Sequence, residues 1–247
     1  MKELLKSLEK ICTECYDYVL LDTSACGPPN SRPRTFEISM GTEKALKLLS
    51  SYCDTLEREK RLRYVSMLTQ IVDRYGKIQT TEEVVSEIEN GIGKLGNLLN
   101  KKAHTKRKNI KTYISAIKGL RNKLRERTIR FTEEETETMH AMMNEVYHLR
   151  IKYHLEPTDF GLLLTSINLA VCRGDTAMIT CDRGLIKATV EAFQSLESRG
   201  TYNLDVYMRV KKDKGIYRFE PVAKERVFPA FSETESPPEH PEVLESV

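Results

Sequence analysis

Short apolar runs, each too brief for a helix, recur along this chain with long amphipathic stretches between them. That alternation constrains the fold more than any other feature. Residues 17–22 hold the run Val19-Leu20-Leu21 and stop at Asp22; residues 77–80 read KIQT; Ala177–Thr180 read AMIT; residues 202–210, YNLDVYMRV, alternate in the manner of a strand. GIYRFEPV, at residues 215–222, is a further strand candidate. Strands separated by helices imply a mostly parallel central sheet with helices on both faces, an α/β chain built as a three-layer α/β/α sandwich.

The stretches between the strands carry the helical signal. MKELLKSLEKICTEC repeats Leu4, Leu5, Leu8, Ile11 and Cys12 among charges, which predicts an amphipathic helix over 1–16 and not a signal peptide. Residues 27–35 read as a loop. From Thr42 to about Arg74 the apolar residues suggest two helices, ended by Gly76. Thr80 and Glu83 have capping-box spacing for a helix running to Asn90-Gly91, with Gly91 as its C-cap. Thr132 and Glu135 form a second capping-box pair, before a helix with a stripe of Met139, Met142, Met143, Val146 and Leu149. Methionines at that spacing read as core packing. A helix is expected from about Asp159 to Cys172, then a turn at Arg173-Gly174-Asp175, the strand AMIT, and a helix from Asp182. The last twenty residues, 228–247, hold four prolines, five glutamates and no Lys or Arg, the composition of a disordered acidic tail.

Charge is distributed unevenly. The formal net charge is +3, yet residues 101–130 contain twelve Lys or Arg against one acid, Glu126, so that segment carries +11 and the remainder −8. Hydrophobic residues at 40% and charged residues at 30% fit a globular protein, and no run approaches the ~18 apolar residues of a membrane span. Six cysteines without a signal suggest free thiols in a reducing, intracellular and cytoplasmic setting. Cys12 and Cys15 form a CxxC that lacks a second pair to complete a zinc site.

Four acids map to the edge where ligands bind in a parallel sheet, beyond the carboxyl ends of the strands. Asp22 ends the first strand, Glu87 lies two turns into the helix after the second, Asp159 opens the helix before the third unit, and Asp182 follows AMIT. Asp159 and Asp182 have the simpler reading of helix N-caps, Asp22 that of a turn residue, and Glu87 that of a solvated helix position. Glu83 is the second choice to Glu87. Converging carboxylates repel one another unless a cation neutralises them, and oxygen ligands without clustered His or paired Cys favour Mg²⁺ or Mn²⁺.

The elements LLDTSA, TTEEVVSEIENG, PTDFGLLLTSINLA and MITCDRGL, in this order, resemble the PIN-domain nucleases. The resemblance spans roughly residues 17–210, within a PIN-like domain set at 17–227, and leaves out a basic helical insertion at about 91–131. It implies metal-dependent hydrolysis of RNA phosphodiesters, with Asp22, Glu87, Asp159 and Asp182 as catalytic residues and ligands to Mg²⁺ or Mn²⁺. Ser24 and Thr180 would orient carboxylates or waters around them. The alternative is a catalytically inactive PIN-like scaffold that binds RNA or a protein.

Four acids alone would repel RNA, so the basic segment is the expected binding surface for a single-stranded or structured strand, through Lys101, Lys102, Lys106, Arg107, Lys108, Lys111, Arg121, Lys123 and Arg125. Its one aromatic, Tyr113, gives little support to base stacking. A protein partner or a homodimer is a further expectation. Two other readings fail on context. Gly91, Gly93 and Gly96 match GxGxxG but follow a helix rather than a strand, and the five histidines form no ligand pair.

Overall fold

A computed structural model of the chain describes residues 2–14, 16–27, 55–101, 107–196, 203–211 and 217–222. The expected loop beyond Gly27, residues 42–54 of the expected helices, Cys15, Cys53 and the acidic tail lie outside them. The described residues form five strands, β1 (Tyr18–Leu21), β2 (Ile78–Gln79), β3 (Thr176–Thr180), β4 (Leu204–Lys211) and β5 (Tyr217–Pro221). They also form seven α-helices, α1 (Lys2–Thr13), α2 (Thr55–Arg74), α3 (Glu82–Lys101), α4 (Arg107–Arg125), α5 (Glu133–Lys152), α6 (Pro157–Cys172) and α7 (Arg183–Leu196), with a 3₁₀ turn at Thr23–Ala25. Among the described residues, no helix is long and apolar enough to cross a membrane.

The strands make one sheet in the order β2-β1-β3-β4-β5. The first four are parallel, with Val19 opposite Ile78 and Ala177, and β5 pairs antiparallel with β4. All five residues of β3 are buried. A strand buried at every position has both faces covered, which is what helices on the two sides of a parallel sheet provide. The architecture is thus α/β with a mostly parallel sheet, coarsely a three-layer sandwich. From β1 the chain crosses to β2 on one side and to β3 on the other, so the topological switch lies between β1 and β3, where open parallel sheets bind ligands.

At the amino edge of the sheet, Tyr16 Oη donates to Asp205 Oδ2 at 2.6 Å and stands edge-on to Tyr207. The predicted cap of α5 is present: Thr132 Oγ1 accepts from Glu135 N–H, and the Glu135 carboxylate accepts from Thr132 N–H at 2.8 Å. Arg173, just past α6, donates from Nε and Nη2 to the same carboxylate at 2.5 and 2.7 Å. That pairing holds the Glu135 carboxyl down at about 2 and ties the start of α5 to the end of α6.

Two expectations about the second helical unit are corrected. Thr80 is not the cap of α3. Its hydroxyl donates to Leu21 O at 2.9 Å inside the sheet, and Thr81 accepts from Val84 N–H at 3.4 Å. The helix also does not end at Gly91 but runs through Gly93 and Gly96 to Lys101. It continues because α4 packs along it and along α2, burying Leu95 and extending the apolar contact past the glycines.

The described part of the basic segment packs into the core. In α4 the residues Ile110, Tyr113, Ile117, Leu120 and Leu124 are all buried, at alternating spacings of three and four. They form one apolar stripe facing α2 and α3. The N-terminal helix likewise belongs to the body of the molecule: Leu4, Leu5, Leu8, Ile11 and Cys12 join the common core, with α1 packed on β5 and α2.

Candidate metal centre

Each of the four acids is delivered by a different segment, and three of them stand where a helix begins. Asp22 follows β1 at the switch point and caps the 3₁₀ turn Thr23–Ala25. Its carboxylate is buried, with 3% exposure. Oδ2 accepts from Thr180 Oγ1 at 2.6 Å and from the Ser24 hydroxyl. Burial pushes the Asp22 carboxyl up, the Ser24 and Thr180 hydroxyls pull it back, and the charge of Asp182 adds to the rise.

Thr180 closes β3 and links this carboxylate to the next. Its Oγ1 also accepts from Asp182 N–H at 3.0 Å, and Ser24 Oγ accepts from Cys181 N–H at 2.7 Å. The ends of β1 and β3 are thus joined by two hydroxyls placed between Asp22 and Asp182. Asp182 itself caps α7, with Oδ1 accepting Leu185 N–H at 2.9 Å. The capping role and a ligand role are compatible, because a carboxylate has lone pairs to spare after one cap bond.

Asp159 sits in the first turn of α6, three positions after the N-cap Glu156 and two after Pro157, rather than at the cap expected from sequence. Its carboxylate accepts the Glu156 backbone N–H. Burial raises the Asp159 carboxyl most, and the charges of Asp22, Asp182 and Glu87 raise it further, to about 7. Glu87, half-buried in α3, accepts from Thr23 Oγ1 at 2.9 Å. Glu83, one turn earlier, is exposed, with its carboxyl carbon 4.0 Å from where a side chain on Gly161 of α6 would begin.

The structure therefore brings Asp22, Glu87, Asp159 and Asp182 to one edge of the sheet, with Ser24 and Thr180 between two of them. Two contributors were not assigned from sequence. Thr23 holds Glu87; the signal for it was the hydroxyl pair after Asp22, of which only Ser24 was chosen. Gly184 leaves room beside Asp182, since a Cβ there would lie 3.2 Å from Asp182 Oδ1 and 3.1 Å from Tyr153 O.

Set against the models of known protein families, the curated proteins and the solved structures, the chain finds no match in any of the three.

The donors are all hard oxygens, and their mutual repulsion at Asp159 is the imbalance that a divalent cation removes. Among the described residues no three His, Cys, Asp or Glu side chains already form a metal-holding group. A Mg²⁺ site does not need one, because the ion keeps several waters and takes one or two carboxylates directly. The donor set fits Mg²⁺ or Mn²⁺ by charge and ligand type. The positive ends of α6 and α7 point at the same edge and favour anions there.

The basic residues divide. Lys102 and Lys106 lie outside the described residues, as do the side chains of Lys101, Arg107 and Lys108. Lys111 and Lys118 are exposed on α4. Arg121 and Arg125 both pair with Glu89 of α3, and Lys123 pairs with Asp73 of α2 at 2.8 Å. These three fasten the helices together, a role the charge count concealed. Just past α4, Thr128 bridges to Thr80 beside β2, which brings the end of the basic segment to the same edge as the acids.

Proposed function

We propose that this chain is a divalent-metal-dependent ribonuclease of the PIN-domain type, cutting RNA phosphodiesters at the acidic edge between β1 and β3. The observation that carries the reading is the Asp159 carboxyl, raised to about 7 first by burial and then by the charges of Asp22, Asp182 and Glu87. Four acids from four segments stand at the edge where a parallel sheet binds its ligands, held by caps and hydroxyls.

Bound there, a Mg²⁺ or Mn²⁺ ion would lower the pKa of a water and shield the phosphate under attack. Asp22, Glu87, Asp159 and Asp182 would hold it, one or two of them directly and the others through its waters. Ser24 and Thr180 fix the Asp22 carboxylate, and Thr23 fixes Glu87, so the acids do not have to be ordered when substrate arrives. The N-termini of α6 and α7 favour the phosphate, while Lys111 and Lys118 supply cations for the strand. Burial pushes the Cys12 thiol up to about 12.

The test is to incubate the chain with single-stranded RNA and Mg²⁺ or Mn²⁺ beside an Asp22→Asn variant. Cleavage that depends on the metal and is lost in the variant is expected. Equal cleavage by both proteins, or none by either, removes the enzyme and leaves an RNA- or protein-binding scaffold.

A further inference from the structure

We propose that Tyr147 and Arg150, braced by the buried Phe160 that follows Asp159, form a stacking platform for one base of a single-stranded nucleic acid. Phe160 follows Asp159 in the first turn of α6 and is buried. Tyr147 of α5 meets it edge to face, with ring centroids 5.8 Å apart at 87°, yet remains 46% exposed. The Arg150 guanidinium carbon lies 5.9 Å from the Tyr147 centroid and 5.8 Å from that of Phe160. Among the described residues no carboxylate pairs with Arg150, whereas its neighbour Lys152 is paired with Glu191 at 2.9 Å.

An exposed tyrosine on a helix needs no explanation alone. What calls for one is the combination of a half-exposed aromatic ring, a buried ring that fixes its angle, and a guanidinium with no acid partner among the described residues, at the turn of α6 that carries Asp159. A protein that grips single strands without reading sequence combines cations for the backbone with aromatic faces for the bases. The basic helix α4 supplies the first and not the second, since Tyr113 is 1% exposed and faces the core. The second lies at the α5–α6 corner, in the turn of α6 that carries Asp159. A strand held by a base at Tyr147 and by phosphates along α4 would cross the acids between them. The proposal deepens the ribonuclease reading and rests on it for the path of the strand.

The experiment measures affinity rather than cleavage, so either claim can fail alone. A fluorescent oligouridine of about twelve nucleotides, within the site size of single-strand binders, is titrated in chelator with the full chain and with Tyr147→Ala and Tyr147→Phe variants. The same series is run with an abasic chain of equal length. Tyr147→Ala should weaken oligouridine binding by roughly 5- to 150-fold, the equivalent of ~1–3 kcal/mol of stacking. Tyr147→Phe should restore it, and the abasic chain should bind all three proteins alike. Thermal melting of each variant guards against loss of fold. Unchanged oligouridine affinity in Tyr147→Ala overturns the proposal and leaves this face to a protein partner. An equal loss for both chains also overturns it, because the ring would then act on the backbone or the fold rather than on a base.

Discussion

Asp22 meets hydroxyls where a buried carboxylate would ordinarily meet a cation, and that substitution carries the chemistry. Thr180 Oγ1 donates to Asp22 Oδ2 at 2.6 Å while accepting from Asp182 N–H at 3.0 Å, so one side chain positions two of the acids. Thr180→Val keeps the shape of the site and removes both hydrogen bonds. It should lower Mn²⁺ affinity about 10- to 100-fold, the cost found when groups that orient metal ligands are lost. Calorimetric titration checks it, and unchanged affinity would show that Thr180 serves only the strand. Asp159 makes a second prediction. Its carboxyl titrates near 7 in the folded protein and near ~3.9 once unfolded. Between those values the folded state binds the extra proton, so this group's contribution to stability is full below pH ~4 and is lost as pH rises through about 7. In chelator, the stability of Asp159→Asn relative to the parent should therefore grow from pH 5 to pH 8, read by urea unfolding at both. Parallel curves would mean that neither burial nor the other three acids raise Asp159.

At the scale of elements, α4 is a core helix with a basic outer face. Leu120 is fully buried on the face turned to α2 and α3. Leu120→Ala should cost about 2–5 kcal/mol in urea unfolding. Lys111→Ala and Lys118→Ala, on the exposed face, should change stability by less than ~0.5 kcal/mol. Each should instead reduce the salt slope of RNA binding by about 1. Equal stability losses at all three positions would contradict this division of the helix. Local patterns made much of the secondary structure legible: the apolar run that stops at Asp22, the Thr132–Glu135 box, and the strand AMIT with its following cap at Asp182. The burial of α4 was not legible in the same way, because dense charge masks an apolar residue every three or four positions. The end of α3 was misplaced because Gly91 is a good cap only if the helix has nothing further to pack on, and α4 supplies that packing. The cap shifted from Thr80 to Thr81 for a similar reason, since a sheet contact with Leu21 O claims the Thr80 hydroxyl.

For the whole molecule, the strand order determines where function can lie. The chain leaves β1 in one direction for β2 and returns on the other side for β3, opening the crevice that Asp22 and Asp182 flank. Asp22, Asp159 and Asp182 were individually visible in the sequence, since each stands at the end of a strand or the start of a helix, whereas Glu87 lies within α3. Their meeting depends on the sheet order, which periodicity does not give. The contact of Tyr147 with Phe160 was hidden for a related reason: twelve residues separate them, and only the turn between α5 and α6 brings the rings together. The central claim is that these side chains share one cation. It is tested most directly by titrating Mn²⁺ into the metal-free chain and following the free ion by electron paramagnetic resonance, beside Asp22→Asn and Asp159→Asn. Uptake of Mn²⁺ by the parent that is lost in both variants is the predicted result; identical uptake by all three, or none by the parent, would contradict it.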